Sequence, residues 1–395
     1  MGLLVCCNVY DPSLLEGEKR PPKDGVGFWS GTGDRGCFSA KAPDPTSRPS
    51  PKGDKDVGPI VLAIQSMRLG SLNERGEVDS EAWKKLGFDL DGRCTGSDTC
   101  PGTDSPPSCV PPVEQVPIPL DGELCRDNTF GRLEHTATII PETAKKYGLS
   151  DDAFNCALCT GAYNFVIRIS GYNGEADDDR VRVDLYPSPG LESILPWSCA
   201  TGEWHDHPCW TSNLPWTIQD DAVKEKRGGP NLPDAKIFDD NAYVRDGYVV
   251  MSIPDGANFW FPGTNALVTA FPLRVQKGLV TGKITLGSDK VWRISDGMIG
   301  GRVKADDVVQ GFRLIGFCEQ DSNYKLMKDF ISNNQDVLSD GRTDPAAKCD
   351  AMSFGVGFVA LQATAGKLVP VDPLVECQLR GKAVQDAGPQ DAGAD

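Results

Sequence analysis

Apolar and polar residues alternate along several short stretches, which is the period of a strand with one buried face. Residues 180–186 (R-V-R-V-D-L-Y) show it best, and residues 163–171 (Y-N-F-V-I-R-I-S-G) precede them. Asn173-Gly174 and an acidic run lie between, so the two stretches predict a long-looped hairpin. Residues 59–69, 242–253, 266–276, 279–286, 290–294, 298–303 and 354–363 read as further strands, punctuated by Gly, Asp and Pro.

Helical patterns are fewer. Residues 80–86 (S-E-A-W-K-K-L) carry a Ser cap and an acidic first turn. Residues 141–147 and 151–159 predict short helices. Residues 306–317 and 323–331 predict a helix pair, with Cys318 and Cys349 placed to staple it. Many strands with helices inserted late point to a mainly β chain, a β-sandwich of jelly-roll type over residues 57–379 with disulfide-stapled loops. Residues 1–56 lack an apolar period and are rich in Pro, Gly, Lys, Asp and Ser, so they read as an anchor remnant and flexible tether. Residues 380–395 read as a disordered tail.

Composition adds compartment. The 395 residues include 14 cysteines, a count that exported chains turn into disulfides and cytosolic chains avoid. Cys94, Cys100 and Cys109 lie in a Pro/Gly/Ser-rich loop that needs staples, and Cys199 and Cys209 are spaced for a local bridge. The formal charge of −16, with no Lys/Arg stripe, excludes nucleic acid as a partner. The start, M-G-L-L-V-C-C, resembles the end of a lipoprotein signal, which predicts membrane attachment through a lipid at Cys7 or Cys6. No later run reaches the roughly 20 apolar residues of a membrane span.

Several segments resemble a group of uncharacterised cell-envelope lipoproteins of myxobacteria. They are W-K-K-L-G-F-D-L-D-G (Trp83 to Gly92), I-S-G-Y-N-G-E-A-D-D-D-R-V-R-V (Ile169 to Val183), W-R-I-S-D-G-M-I-G-G-R (Trp292 to Arg302), Cys318, and C-D-A-M-S-F-G-V-G-F (Cys349 to Phe358). The resemblance implies export and anchoring, and no activity.

Candidate chemistry is sparse. Asp89, Asp91 and Gly92 sit at alternate-carboxylate and turn positions of a calcium loop that Asp98 would close, so these three aspartates are the expected Ca²⁺ ligands. Glu175, Asp177, Asp178 and Asp179 form a second acidic run, more simply a solvated hairpin tip. His205 and His207, two apart, could share a metal on a strand, although no third ligand suggests itself. Cys156-Ala-Leu-Cys159 has redox spacing, but structural bridges explain it more simply. Glu77, Asp79 and Glu81 partly match a glycosidase signature without the paired geometry it needs. No nucleophile elbow or phosphate loop follows a strand, so no catalytic residue is assigned.

Trp197, Trp204, Trp210 and Trp216 cluster within twenty residues. Trp204 and Trp210 are the expected ligand-binding platform, with core packing as the rival explanation. The resulting expectation is an exported envelope protein that binds a glycan or a partner protein, or has a structural role, with Ca²⁺ as the implied ion. The alternative is an extracellular hydrolase acting on glycans.

Overall fold

The structure is a computed structural model that describes residues 27–51, 55–96, 105–137, 150–193, 195–197, 209–225, 232–265, 268–314, 317–370 and Cys377, with backbone alone for 134–137 and 259–272. The strands in chain order are β1 (Gly31–Thr32), β2 (Phe38–Ser39), β3 (Ile60–Arg68), β4 (Asn164–Ser170), β5 (Asp178–Ser188), β6 (Pro215–Gln219) and β7 (Ile237–Arg245). They continue as β8 (Tyr248–Ile253), β9 (Ala257–Asn265), β10 (Val268–Leu286), β11 (Trp292–Lys304), β12 (Ala351–Gln362) and β13 (Thr364–Val369). The helices are α1 (Thr129–Ala137), α2 (Asp151–Thr160), α3 (Ala305–Leu314) and α4 (Tyr324–Asn333).

The chain is mainly β with few short helices and stapled loops, as its patterning predicts. Its main sheet, however, is a closed barrel rather than a jelly-roll sandwich. Eight antiparallel strands pair in the order β3-β4-β5-β7-β8-β10-β11-β12, and β12 returns to β3 to close the ring. The ring strands follow one another in chain order, with β6 and β9 set outside the ring, which is a meander and not the crossed connection of a jelly roll. β9 pairs with the first half of β10 and extends the sheet beyond the ring.

Alternation fills the interior. Ile60, Leu62 and Ile64 of β3, Phe165, Ile167 and Ile169 of β4, Val181, Val183 and Leu185 of β5, and Met352, Phe354, Val356, Phe358 and Ala360 of β12 share one apolar core. Eight strands leave room for such side chains and little else. Each fully buried Ile, Leu or Phe contributes roughly 1.5–3 kcal/mol. The helices extend the same core: Phe130 of α1 meets Phe354 edge-on at 5.1 Å, and Phe154 and Leu158 of α2 join it. Helix α2 starts as its sequence predicts, with the Ser150 hydroxyl accepting from Ala153 N–H and Gly161 closing the helix at φ 75°.

Two coats cover the outside of the barrel. β6 and β13 pair with each other and bury Trp210, Trp216 and Ile218 against the outward residues Ala63, Val166 and Tyr186. Apolar packing of the same kind holds residues 27–51, which composition alone reads as part of a tether. Trp29 is buried against Tyr248 (5.3 Å) and Phe88 (6.3 Å), so this segment is folded onto the barrel. The helix expected at 80–86 is a 3-10 turn over Ala82–Lys85 with no side-chain cap. Residues 1–26 and 378–395, and the helix expected at 141–147, lie outside the described residues.

Candidate metal centre

The outer face of β11 and β12 is where the chain gathers its carboxylates. Glycines on these strands let another segment lie flat on them. A Cβ at Gly355 would sit 2.5 Å from Gly87 Cα, and one at Gly300 would sit 2.5 Å from the Phe88 ring. Residues 86–88 are thereby pressed to the wall, and Asp89 and Asp91 follow directly. From the other side, the Asn128 carboxamide accepts from Gly355 N–H at 2.9 Å, and the Ser353 hydroxyl accepts from Thr129 N–H at 2.8 Å. These bonds fix Asp127 over the same strands. Asp127 N–H then donates to Phe88 C=O at 2.9 Å, and the Cys94–Cys125 disulfide ties the two segments together.

Asp89, Asp91 and Asp127 each offer a carboxylate oxygen within 4.8 Å of the others. Two oxygens that both ligate Ca²⁺ at about 2.4 Å can be no farther apart than about 4.8 Å, so the spacing suits one shared ion. Asp89 and Asp127 are buried, and Asp91 is half-buried. Asp121 and Asp336, both buried, complete an array of five mutually repelling carboxyls.

Local hydrogen bonds hold each one. Asp89 accepts from Gly92 N–H at 2.7 Å and from the Ser39 hydroxyl. Asp91 accepts from Arg93 N–H at 2.8 Å. Asp121 accepts from Thr95 N–H at 2.6 Å, and Asp336 from Ser353 N–H at 2.7 Å. Asp127 accepts from Leu90 N–H at 2.6 Å and Asp91 N–H at 3.3 Å, both at Oδ2. No described residue donates to its Oδ1.

Burial is the main force on these groups, because it disfavours the charged form. It pushes Asp89 up to about 7, with Asp91 adding repulsion against the Ser39 bond. Asp336 rises to about 6, again through burial, against its Ser353 bonds. Burial and then neighbouring carboxylates raise Asp127 and Asp121 well above the usual range. Asp91 is raised by burial, with Ser108 and Arg302 opposing. Arg302 of β11 is the buried countercharge, 5 % exposed; its Nη2 donates to Leu90 C=O at 2.6 Å, while its Nε has no partner. Lys41 attracts Asp89 and Arg93 attracts Asp91 from more exposed positions, and with Arg302 these three cations face five carboxyls.

No family model, curated protein or solved structure matches this chain.

The remaining sequence candidates fall elsewhere. Asp98, expected to close the loop, lies outside the described residues, as do Trp204, His205 and His207. Asp121, Asp127 and Asp336 were not expected. The useful signal was the cysteine on each flank: Cys94 beside Asp91 and Cys125 beside Asp127 bring two distant Asp-rich turns together. The second acidic run does not converge. Asp178 accepts from Asn173 N–H at 2.7 Å, Asp177 from Asp246 N–H at 3.0 Å, and Glu175 pairs with Lys55 at 3.0 Å. Glu77 is exposed and accepts from the Asn73 carboxamide at 3.1 Å.

Trp210 is 3 % exposed and packs edge-on against Trp216 at 5.2 Å, so its ring faces the coat and not solvent. The local Cys199–Cys209 bridge is overturned, because Cys209 bonds Cys159 across 50 residues of sequence. Cys156 is also disulfide-bonded, so it and Cys159 are not a redox pair with each other. Cys318 bonds Cys377, and Cys349 bonds Cys109, so the α3–α4 pair has no bridge from Cys318 to Cys349. Two surface clefts of about 220 and 370 Å³ are lined by none of the five aspartates.

Proposed function

We propose that this chain is an exported cell-envelope protein with a binding or structural role toward a glycan or partner protein, and that its barrel carries Ca²⁺ at Asp89, Asp91 and Asp127. The observation behind the ion is the buried carboxylate array. Three oxygens lie within 4.8 Å of one another, and a single buried guanidinium opposes them. Such an array is stable only when protonated or when a cation supplies the missing charge. All-oxygen donors favour a hard ion such as Ca²⁺.

Export is supported by the cysteines, which run from Cys37 to Cys377. The ten described cysteines are all disulfide-bonded, which is consistent with an oxidising compartment. No helix among the described residues is long and apolar enough to cross a membrane. The lipobox-like start puts the proposed attachment at a lipid on Cys7 or Cys6. The likeness to myxobacterial envelope lipoproteins supports the same placement. The gathered carboxylates are buried in a wall, whereas hydrolysis of a glycan needs two facing a substrate, so binding is preferred to the hydrolase reading.

Thermal melting tests the ion. Chelation lowers Tm, and CaCl₂ at 100 times its Kd adds about 2.7 kcal/mol of stability. The double variant Asp89→Ala, Asp91→Ala keeps its fold and loses the response. A parent protein whose melting ignores both chelator and CaCl₂ has no such site.

A further inference from the structure

The Cys94–Cys125 bond lies within the framework of the acidic centre. Cys94 follows Asp91 by three residues, and Cys125 precedes Asp127 by two. Its Cα atoms are 4.8 Å apart, and it closes a separation of 31 residues. The two segments also share hydrogen bonds: Asp127 N–H to Phe88 C=O, and a reciprocal pair between Asp121 and Thr95. Every one of these involves backbone that the disulfide holds in register.

The turn before Asp127 is strained, and Ala40 N–H on Leu124 C=O (2.9 Å) and Gly122 N–H on Arg126 C=O (2.8 Å) hold it together with the disulfide. Leu124 and Cys125 stand at φ 57° and 58°, a left-handed conformation unfavourable for residues with a Cβ. Such residues persist only where their surroundings over-determine them. Both lie between Asp121 and Asp127, so relaxation of this turn would shift Asp121 from the array and leave Asp127 to the bonds of Asn128 and Thr129 on β12 and of its own N–H on Phe88 C=O. Cys37, itself disulfide-bonded, shares a buried cluster with Cys94 and Cys125 and stands two residues from Ser39, whose hydroxyl holds Asp89.

We propose that the Cys94–Cys125 disulfide gates the cation site: the oxidised chain binds the divalent cation, and the chain with both residues as thiols does not. This rests on the cation reading above and adds its control. Forming the disulfide, which makes the site competent, breaks two S–H bonds and forms one S–S bond. The two electrons and two protons pass to a disulfide oxidant, which is released as two thiols. Loading with the ion therefore follows oxidation, and a chain still in a reducing compartment ignores the ion however much is present. By linkage, the bound ion must in turn protect the disulfide.

Calorimetric titration of the full chain with CaCl₂ measures the gate. Cys94→Ser, Cys125→Ser is compared with Cys318→Ser, Cys377→Ser, which removes a bond remote in sequence from Asp89, Asp91, Asp121 and Asp127. The expected result is an affinity about 100-fold weaker in the first variant, and within about threefold of the parent in the second. Equal affinity in the first variant and the parent overturns the gate and leaves the cation reading standing. Equal weakening in both variants also overturns it, since the effect is then general. No uptake by the oxidised parent overturns both readings.

A second measurement needs no variant and decides the matter if the first variant does not fold. The native protein is exposed to a dithiol, with and without CaCl₂, and free thiols are alkylated and located by mass spectrometry. CaCl₂ is expected to slow opening of Cys94–Cys125 about tenfold and to leave Cys318–Cys377 unchanged. Opening of Cys94–Cys125 at the same rate in both conditions overturns the proposal.

Discussion

The inside of the barrel and the acidic centre on its outer wall are built on opposite terms. Inside, residues such as Phe165, Ile167 and Ile169 recur every second position, and burial of apolar surface holds them. On the wall, Asp89, Asp127 and Asp336 are as buried as those residues, but nothing apolar recommends their burial. They are kept by backbone N–H donors, the Ser39 and Ser353 hydroxyls, Arg302 and a disulfide. The core is stable by itself under any solution condition that preserves the hydrophobic effect. The centre is stable only in company, and its stability should follow pH, cation and oxidation state.

The comparison is sharpened first by breaking the core. Phe354→Ala removes a fully buried ring that touches Phe130, and should cost about 3–5 kcal/mol in denaturant unfolding. Trp210→Ala should cost a similar amount, because its ring packs against Trp216. Both losses should be the same with and without CaCl₂.

Acid and base should then separate the two regions. Asp89 has its folded value raised to about 7, above the ordinary 3.8, so between those values the native chain holds a proton that the unfolded chain has released. This contribution to stability is complete below about pH 4 and is lost as pH rises through about 7. In chelator, stability should fall across that window by on the order of 4 kcal/mol, measured by unfolding at fixed temperature. Saturating CaCl₂ should flatten the fall, since the ion favours the ionised carboxylates. A stability that instead climbs from pH 4 to 7 in chelator would show that these aspartates are ionised without help.

Asp127→Asn comes next. It removes one charge from the array while keeping its shape. The variant should be at least as stable as the parent in chelator, and should lack the gain of about 2.7 kcal/mol that the parent shows at 100 times its Kd. The smallest effect is expected at the surface. Lys325 pairs with Asp329 one helical turn away, both exposed, and Lys325→Ala should change stability by less than about 0.5 kcal/mol.

Legibility in the sequence followed the same division. The β4–β5 hairpin, helix α2 and the α3–α4 pair were readable, because each has a period of its own and a turn or cap at its ends. Residues 242–253 looked like one strand but hold the end of β7, a two-residue turn at 246–247 and the whole of β8. Asp246 and Gly247 stand at φ 51° and 80°, and Asp-Gly between apolar alternations was the available signal. β10 and β11 each looked like two strands, because Lys277-Gly278 and Asp296-Gly297 interrupt the pattern; both are bulges inside continuous strands. Closure of β12 on β3 joins residues nearly 300 apart, and no local pattern encodes it.

Half of the triad's logic was visible as well. Asp89 and Asp91 announce themselves through spacing beside Gly92, whereas Asp127 lies in D-G-E-L-C-R-D, a stretch without periodicity. It reaches the site only through the disulfide and the Asn128 and Thr129 bonds to β12. Trp210 shows the reverse case. Its neighbours in sequence suggest an exposed aromatic platform, and its burial is decided by β6 and β13, which carry too short a pattern to be read as strands.

The central claim is that the acidic wall of this barrel is completed by a divalent cation. Calorimetric titration of oxidised, chelator-treated protein with CaCl₂ at pH 7.5 tests it most directly. The account predicts uptake of one equivalent by the parent, release of protons as the ion binds, and no uptake by the Asp89→Asn, Asp127→Asn variant. A correctly folded parent that takes up no Ca²⁺ at millimolar concentration would contradict it.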